Sequence, residues 1–528
     1  MNRARSFALI GALVAAIPLA AQTSNSSKSG ESYFGTTFSV EGKDISDGCN
    51  TKQTVLDKNG QPTTESKPLK ELVPGCLTPI FHGNKGLYPS FTNLPPGNGL
   101  ALGAVFKDSE LNTPRLPSWR FDYQVGAQRS LNGSWTAGGF LTMKLAPTKE
   151  SQATPTTSQP TEGTAPSATP ATPVNPNKPT RWLHPPIVSQ GPIPKRLPNL
   201  GENETKLLLN FYAFHTSLNQ VTFFGIGPDT LLADRSFFGL RETVTGANAD
   251  VLLPWGLHFL GELNGRWPTI GPDHGQSSPS IEQVYTEATA PGLTRQPGFL
   301  QPGEGLQFLH HGGGLGENAS FGAAYDLDWT ANFQQFFAPS ISTYSFRRLT
   351  IDATNEIHFK TRFKPKKSGS TSEESKDVSS TSQAQGTLQL RGWMSESVVS
   401  AGHVVPFYFQ PTLGGGDIDK ERTLASYADY RFRAPNALLF RAQFEQPLPK
   451  YSFLGLVFRA DSGKVGVNRG DLDLSHLRHS YGAGFTIRAD NFPYLIFMYA
   501  WGGAEGHHTF ADLNLSAISA GGGTASLW

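Results

Sequence analysis

No internal stretch of the chain reaches about 20 consecutive apolar residues, the length a helix needs to cross a bilayer, and mean hydropathy is −0.31. A helical membrane protein would be far more apolar and is excluded. Charge of one sign is also lacking. With 44 basic against 43 acidic side chains, the net is +1 over 528 residues, which gives no reason to expect a nucleic-acid partner. There is no Gly-x-Ser-x-Gly elbow and no Walker lysine motif, so a hydrolase such as a lipase lacks its nucleophile signature. Gly225-Ile226-Gly227 is too short for a phosphate cradle without a following Gly and helix. The expectation is a protein that is not an enzyme and needs no cofactor. Methionine is scarce at 4 residues, whereas 56 glycines suit β architecture with many turns. Only two cysteines occur, Cys49 and Cys76. They fit an oxidising compartment and can close one disulfide, with two separate thiols as the alternative.

What the chain does have is alternation of apolar and polar residues in seven or more segments. Trp119, Phe121, Tyr123, Val125 and Ala127 fall on one face of a strand; Arg120, Asp122, Gln124, Gly126 and Gln128 fall on the other. Successive strand side chains point to opposite faces, so the strand has one oily and one wet side. Similar patterns recur at 99–106, 133–145, 205–215, 237–250, 255–264, 320–329 and 348–360, and most cleanly at 387–397, 437–445, 453–461, 480–488, 494–501 and 509–517. Residues 1–21 have the anatomy of a secretory signal, with Arg3 and Arg5 before an apolar core at 7–19 that is too short to span. No Cys follows the expected cut, which argues against a lipid anchor there. Strands of this kind behind an export signal predict an all-β fold, a transmembrane antiparallel β-barrel in the cell outer membrane with outer-membrane lipid around it.

The organisation expected is a signal peptide at 1–21, a loop-rich periplasmic or lumen extension at 22–96, and the barrel at 97–528. Two polar low-complexity inserts, 146–198 and 365–385, interrupt the barrel; they bury too little apolar surface to offset their ordering entropy. Such barrels alternate short inner turns with longer outer loops. Counted back from the C-terminus, 502–506, 462–479 and 401–434 fall outside, and 489–492 and 446–451 inside. Counted from the N-terminal strands, the Asn132-Gly133 turn falls inside and the 146–198 insert outside. The 365–385 tract is then an unusually long inner turn, marking either a missed strand or a periplasmic excursion.

A run in the last third carries further information: Leu413-Gly414-Gly415-Gly416, then TLASYADYRFR at 423–433, NALLFRAQFEQPL at 436–448, and Asp461-Ser462-Gly463-Lys464-Val465. In order and spacing this run, with Phe224-Gly225-Ile226-Gly227-Pro228-Asp229-Thr230 upstream, resembles the barrel domain of the BamA/TamA superfamily, also called the bacterial surface antigen family. The resemblance implies 16 strands, a 401–434 loop folded into the lumen, and a part in inserting or translocating outer-membrane protein or lipid. A polypeptide or lipid client and a periplasmic partner are the implied partners. The alternative is a passive pore or surface-receptor barrel. The family's Arg-Gly-aromatic loop motif falls on Ala425, Ser426 and Tyr427, so its Arg-Gly is replaced and only the aromatic remains. Asp461 is the implied wall acid, and Arg459 is expected to neutralise it in place of the absent loop Arg, with two solvated lumen charges as the alternative. The family's POTRA modules are not matched: 22–96 could hold at most one and shows no amphipathic helices.

Arg120, Asp122, Arg441, Glu445, Arg459, Asp461 and Arg488 are the candidate lumen charges, expected to tune pore electrostatics or pack with the lumen loop rather than do acid/base work. Trp119, Tyr123, Tyr494, Tyr499 and Trp501 are expected at the lipid interfaces. Trp528 is an aromatic end beyond a Gly-rich tail at 519–527. His310-His311 and His507-His508 are expected to be loop or interface residues. Neighbours on a strand cannot face the same way, and no Cys or carboxylate stands at ligand spacing, so no metal is expected.

Overall fold

A computed structural model describes residues 52–56, 62–66, 85–113, 116–145, 207–272, 279–314, 321–362, 383–419, 421–448, 451–489 and 492–513. Residues 1–21 with their expected signal, Cys49 and Cys76, both low-complexity inserts and Trp528 lie outside them. Sixteen strands make one antiparallel sheet. They are β1 (Lys85–Asn93), β2 (Leu100–Thr113), β3 (Leu116–Ser130) and β4 (Trp135–Leu145); β5 (Leu207–Phe223), β6 (Ser236–Leu252), β7 (Leu257–Pro272) and β8 (Phe299–Gly314); β9 (Phe321–Phe336), β10 (Phe346–Arg362), β11 (Gln383–Val398) and β12 (Asn436–Leu448); and β13 (Tyr451–Gly466), β14 (Arg478–Ala489), β15 (Phe492–Gly503) and β16 (Gly506–Leu513). Each strand pairs only with its chain neighbours, and among the described residues no ladder joins β1 to β16. A separate short hairpin pairs Lys52–Leu56 with Pro62–Ser66.

Burial in this sheet is inverted relative to a soluble sandwich. On β12, Phe440 is 40% exposed while its neighbour Arg441 is 6% exposed. On β10, Thr350, Asp352, Glu356 and His358 are buried and Ile351 is exposed. The outer face carries Leu263, Trp267, Trp329, Phe458, Phe485 and Phe497 in exposed positions, and the inner face carries Asn210, Asn248, Asn264, Arg266, Gln301 and Gln334 in buried ones. An apolar exterior and a polar interior are what lipid outside and polar groups inside require. The 399–435 segment between β11 and β12 makes the curvature visible. It touches β16, where the Arg422 guanidinium lies 4.2 Å from the Phe510 ring. It also meets the β1–β2 turn, where Tyr430 donates to the Pro96 carbonyl, and Phe407 packs on Phe223 of β5. One segment can reach both ends of the sheet only if the sheet curls around it as a barrel.

The expected strand set differs from this at two places. Lys85–Asn93 falls within the expected extension and 299–314 between the expected strands 255–264 and 320–329, yet both are full members of the sheet. In the first, Pro89 interrupts the β pattern; among the described residues this strand ends the sheet order and pairs with β2. In the second, Pro302 and several glycines read as turn residues. Here the glycines leave room for neighbouring side chains: a Cβ on Gly305 would fall 2.0 Å from the Asn332 side chain, and one on Gly312 would fall 2.2 Å from the Tyr325 ring. The added β1 reverses the parity of the N-terminal third. The Asn132-Gly133 turn therefore lies at the same end as the 399–435 segment. Its neighbour Ser134 donates to Asn98 of the β1–β2 turn (2.7 Å), and Asn98 donates to the Gln220 carbonyl of β5 (2.6 Å). By the same strand order, β4 joins β5 and β10 joins β11 at the opposite end, so the 146–198 insert and the 401–434 loop do not share one side as expected; the inserts themselves lie outside the described residues.

Candidate functional site

The 399–435 segment is short of regular structure because its sequence is full of Pro, Gly and aromatics, and it takes its shape from the barrel wall. Phe407, Tyr408 and Phe409 form a single 3₁₀ turn, all three buried. Phe409 stacks edge-on against Phe299 (4.9 Å between centroids) and lies 5.3 Å from Phe336, with the Arg266 guanidinium 4.8 Å from its ring. Phe407 meets Phe223 and Phe238, each at 5.1 Å. Arg433, near the segment's other end, donates to the Phe407 carbonyl (2.8 Å), and burial lowers its guanidinium to about 10. These aromatics sit in one hydrophobic cluster with Ile281, Leu293, Ala338 and Tyr344 from the 273–298 and 337–345 loops. Three loops thus close this end of the barrel together.

Deeper in the lumen the segment is fastened by charge. Arg391 of β11 and Arg441 of β12 are register partners, and like charges directly opposite one another repel. Glu421 lies between them: its Oε1 accepts from Nη1 of Arg391 and from Nη1 of Arg441, both at 2.8 Å. Each arginine also grips a wall carboxylate with two donors. Arg391 reaches Asp352 at 2.8 and 2.5 Å; Arg441 reaches Asp461 at 2.8 and 3.0 Å. Bidentate, charge-assisted pairs of this kind fix orientation as well as distance. The resulting chain runs Asp352–Arg391–Glu421–Arg441–Asp461, buried throughout. Beside it, the Leu424 N–H donates to Asp461 Oδ2 (3.0 Å) and the Ser426 N–H to Ser480 Oγ (2.9 Å). Asp417, buried beside Asp419 and Glu421, has its carboxyl pushed well above the usual range, first by burial and then by those two acids.

Several expected site residues meet here, in a different arrangement. Asp461 is held by Arg441, whereas Arg459 donates to Gln443 at 2.9 Å. That corrects the expected Arg459–Asp461 pair, for a geometric reason. Residues two apart on one strand are about 6.5–7 Å apart along it, whereas register partners across strands have Cβ atoms about 4.5–5.5 Å apart. Arg441 and Asp461 are such partners. The loop positions Ala425, Ser426 and Tyr427 are buried against the wall. Tyr427 packs edge-on on Phe432 at 5.1 Å, while the acid is reached by the backbone N–H of Leu424, just before these positions. Glu445 accepts from Thr486 Oγ1 (3.1 Å), and Asp122 pairs with Lys144 at 2.5 Å. Arg120 is exposed. The side chains of Arg488 and Tyr494 lie outside the described residues. Tyr499 and Trp501 are exposed and stacked, 5.9 Å apart, but Tyr123 is buried with Phe106 5.8 Å away rather than open to the exterior. The histidine expectation also changes. His310 faces outward and stacks on Phe308. His311 faces inward, where its Nδ1 lies 2.8 Å from Asp326 Oδ1, a carboxylate partner that spacing along the chain did not reveal. Glu421, the centre of the charge chain, was not singled out from sequence; its signal was two arginines, Arg391 and Arg441, on adjacent inward faces.

No protein-family model matches the sequence, and no curated protein does. Among solved structures, the chain is similar to BamA from Haemophilus ducreyi lacking POTRA domains 1–3, at 9% identity over 91% of this chain and 77% of that chain, TM-score 0.42. It is similar to CdiB from Escherichia coli at 11% identity over 89% and 67%, TM-score 0.40. For CdiB from Acinetobacter baumannii the figures are 10% identity over 85% and 68%, TM-score 0.38. At these identities and scores nothing functional follows from the likeness.

Proposed function

We propose that this chain is a non-enzymatic outer-membrane barrel that inserts or translocates a polypeptide or lipid client, with its lumen held closed by the 399–435 segment. The observation that carries this reading is the filled lumen. A segment locked by Glu421 to both Arg391 and Arg441, and roofed by the Phe407–Phe409 turn, speaks against steady passage of small solutes.

The test is depletion in the source cell, followed by quantifying heat-modifiable outer-membrane proteins and surface lipid. Falling levels of other barrel proteins, or of surface lipid, are expected. Normal levels of both, together with stable conductance of the purified protein in planar bilayers, would instead assign a passive pore.

A further inference from the structure

Toward the opposite end of the barrel from the Arg391–Glu421 contact, the inward faces of three adjacent strands bring together His311 of β8, Asp326 of β9, and Glu356 and His358 of β10. His311 and Asp326 are register partners, and so are Asp326 and Glu356. The Asp326 carboxylate lies between two imidazoles, with Oδ1 2.8 Å from His311 Nδ1 and Oδ2 3.0 Å from His358 Nε2. Glu356 Oε2 is 3.8 Å from the same His358 nitrogen. One donor atom each from Asp326, Glu356 and His358 lies within 4.8 Å of the other two, and all three residues are buried. His311 is the open member, with its side chain 39% exposed.

We propose that Asp326, Glu356 and His358, with His311 orienting Asp326 through its other oxygen, bind one divalent first-row transition ion of the zinc class on the lumen wall. Imidazole and carboxylate oxygen together suit Zn²⁺, Co²⁺, Ni²⁺ and Cu²⁺. Bonds of about 2.0–2.2 Å in a tetrahedral set put donors about 3.3–3.5 Å apart, and the separations of 3.0 and 3.8 Å bracket that value. The ion takes the place of the proton between His358 Nε2 and Asp326. The other groups of the ligands already have outer partners: His358 Nδ1 lies 3.3 Å from Thr387 Oγ1, and Gln389 Nε2 donates to Glu356 Oε1 at 2.9 Å. Ligand histidines and carboxylates are oriented by contacts of this type. Two carboxylates directly opposite one another in register repel, and a cation between them offsets that. A bound ion would tie β9 and β10 together, with β8 joined through His311, independently of the plug.

The test uses the full chain without a histidine tag, folded in detergent, stripped with chelator and titrated with Zn²⁺ against a chromophoric competitor. One saturable equivalent is expected. Its affinity should fall at least tenfold in His358→Gln and in Asp326→Asn, and less in His311→Gln, while His508→Gln leaves it unchanged. Wild-type protein without a saturable site overturns the proposal, as does unchanged affinity in folded His358→Gln and Asp326→Asn; the histidines and acids are then a hydrogen-bonded cluster only. Should those two variants fail to fold, Co²⁺ added to wild type decides. Visible tetrahedral absorption that weakens in His311→Gln supports the site, and octahedral Co²⁺ alone, or absorption unchanged in that variant, rejects it.

Discussion

Arg391 and Arg441 face each other across adjacent strands, and the Glu421 carboxylate from a different part of the chain sits between them, 2.8 Å from each. The plug itself supplies the charge between the two arginines. The barrel wall at this level therefore depends on the segment that fills it, and the segment depends on the wall.

Glu421→Gln should release this fastening. Removing one member of a buried ionic set costs about 3–5 kcal/mol, here because two buried guanidiniums are left facing each other. The expected outcome is a lower denaturant midpoint, and planar-bilayer recordings that show frequent openings where wild type is closed. A variant as silent and as stable as wild type would refute the plug's dependence on Glu421.

Asp461→Asn and Arg459→Ala should separate in size. Asp461 accepts from Arg441 twice and from the Leu424 N–H, so its loss is expected near about 3 kcal/mol. Among the described residues Arg459 donates one hydrogen bond, to Gln443, and its removal should cost about 1 kcal/mol. Chemical unfolding of both variants checks the order, and limited proteolysis of the 399–435 segment should follow it.

Phe409→Ala removes a ring that is 2% exposed and surrounded by Phe299, Phe336, Phe346 and the Arg266 guanidinium. A cavity there is expected to cost about 3–5 kcal/mol. The Tyr427 cluster is separate from it, so Tyr427→Phe should be nearly neutral in the same unfolding assay.

The pH dependence should carry the mark of Asp417. Its carboxyl is raised in the folded chain by burial and by the neighbouring Asp419 and Glu421. A raised folded value means that the fold favours the protonated acid. The cost is absent below the unfolded value of about 3.9 and grows as pH rises toward and through the higher folded value. Thermal melts from about pH 4 to about pH 9 should show wild type losing stability over this rise, and Asp417→Asn losing less. Equal slopes in the two proteins would remove Asp417 as the source.

How much of this was readable in one dimension depends on the range of the interaction. Period-two alternation in 437–445 and 348–360 gave strand identity and inward face, because successive side chains alternate whatever the strand's partner is. Glycine and proline obscured β8 and β1 for the opposite reason. Gly305 and Gly312 are there to admit Asn332 and Tyr325 from the neighbouring strand, a demand made by another part of the chain. The missed β1 then reversed the ends of every strand from β2 to β7, and the missed β8 restored the count beyond it, since an omission passes along the strand parity until another offsets it.

The candidate sites were less legible than the strands. From sequence alone came the wet and oily faces and the aromatic exterior; the segment in the lumen came from the family resemblance. Tertiary structure decided that Asp461 meets Arg441 and not Arg459, that Glu421 joins Arg391 to Arg441, and that His311 finds Asp326. Each of those pairs is brought together by register between strands or by the path of the plug. Register is a sum over many backbone hydrogen bonds and side-chain contacts distant along the chain, so no local window of residues contains it.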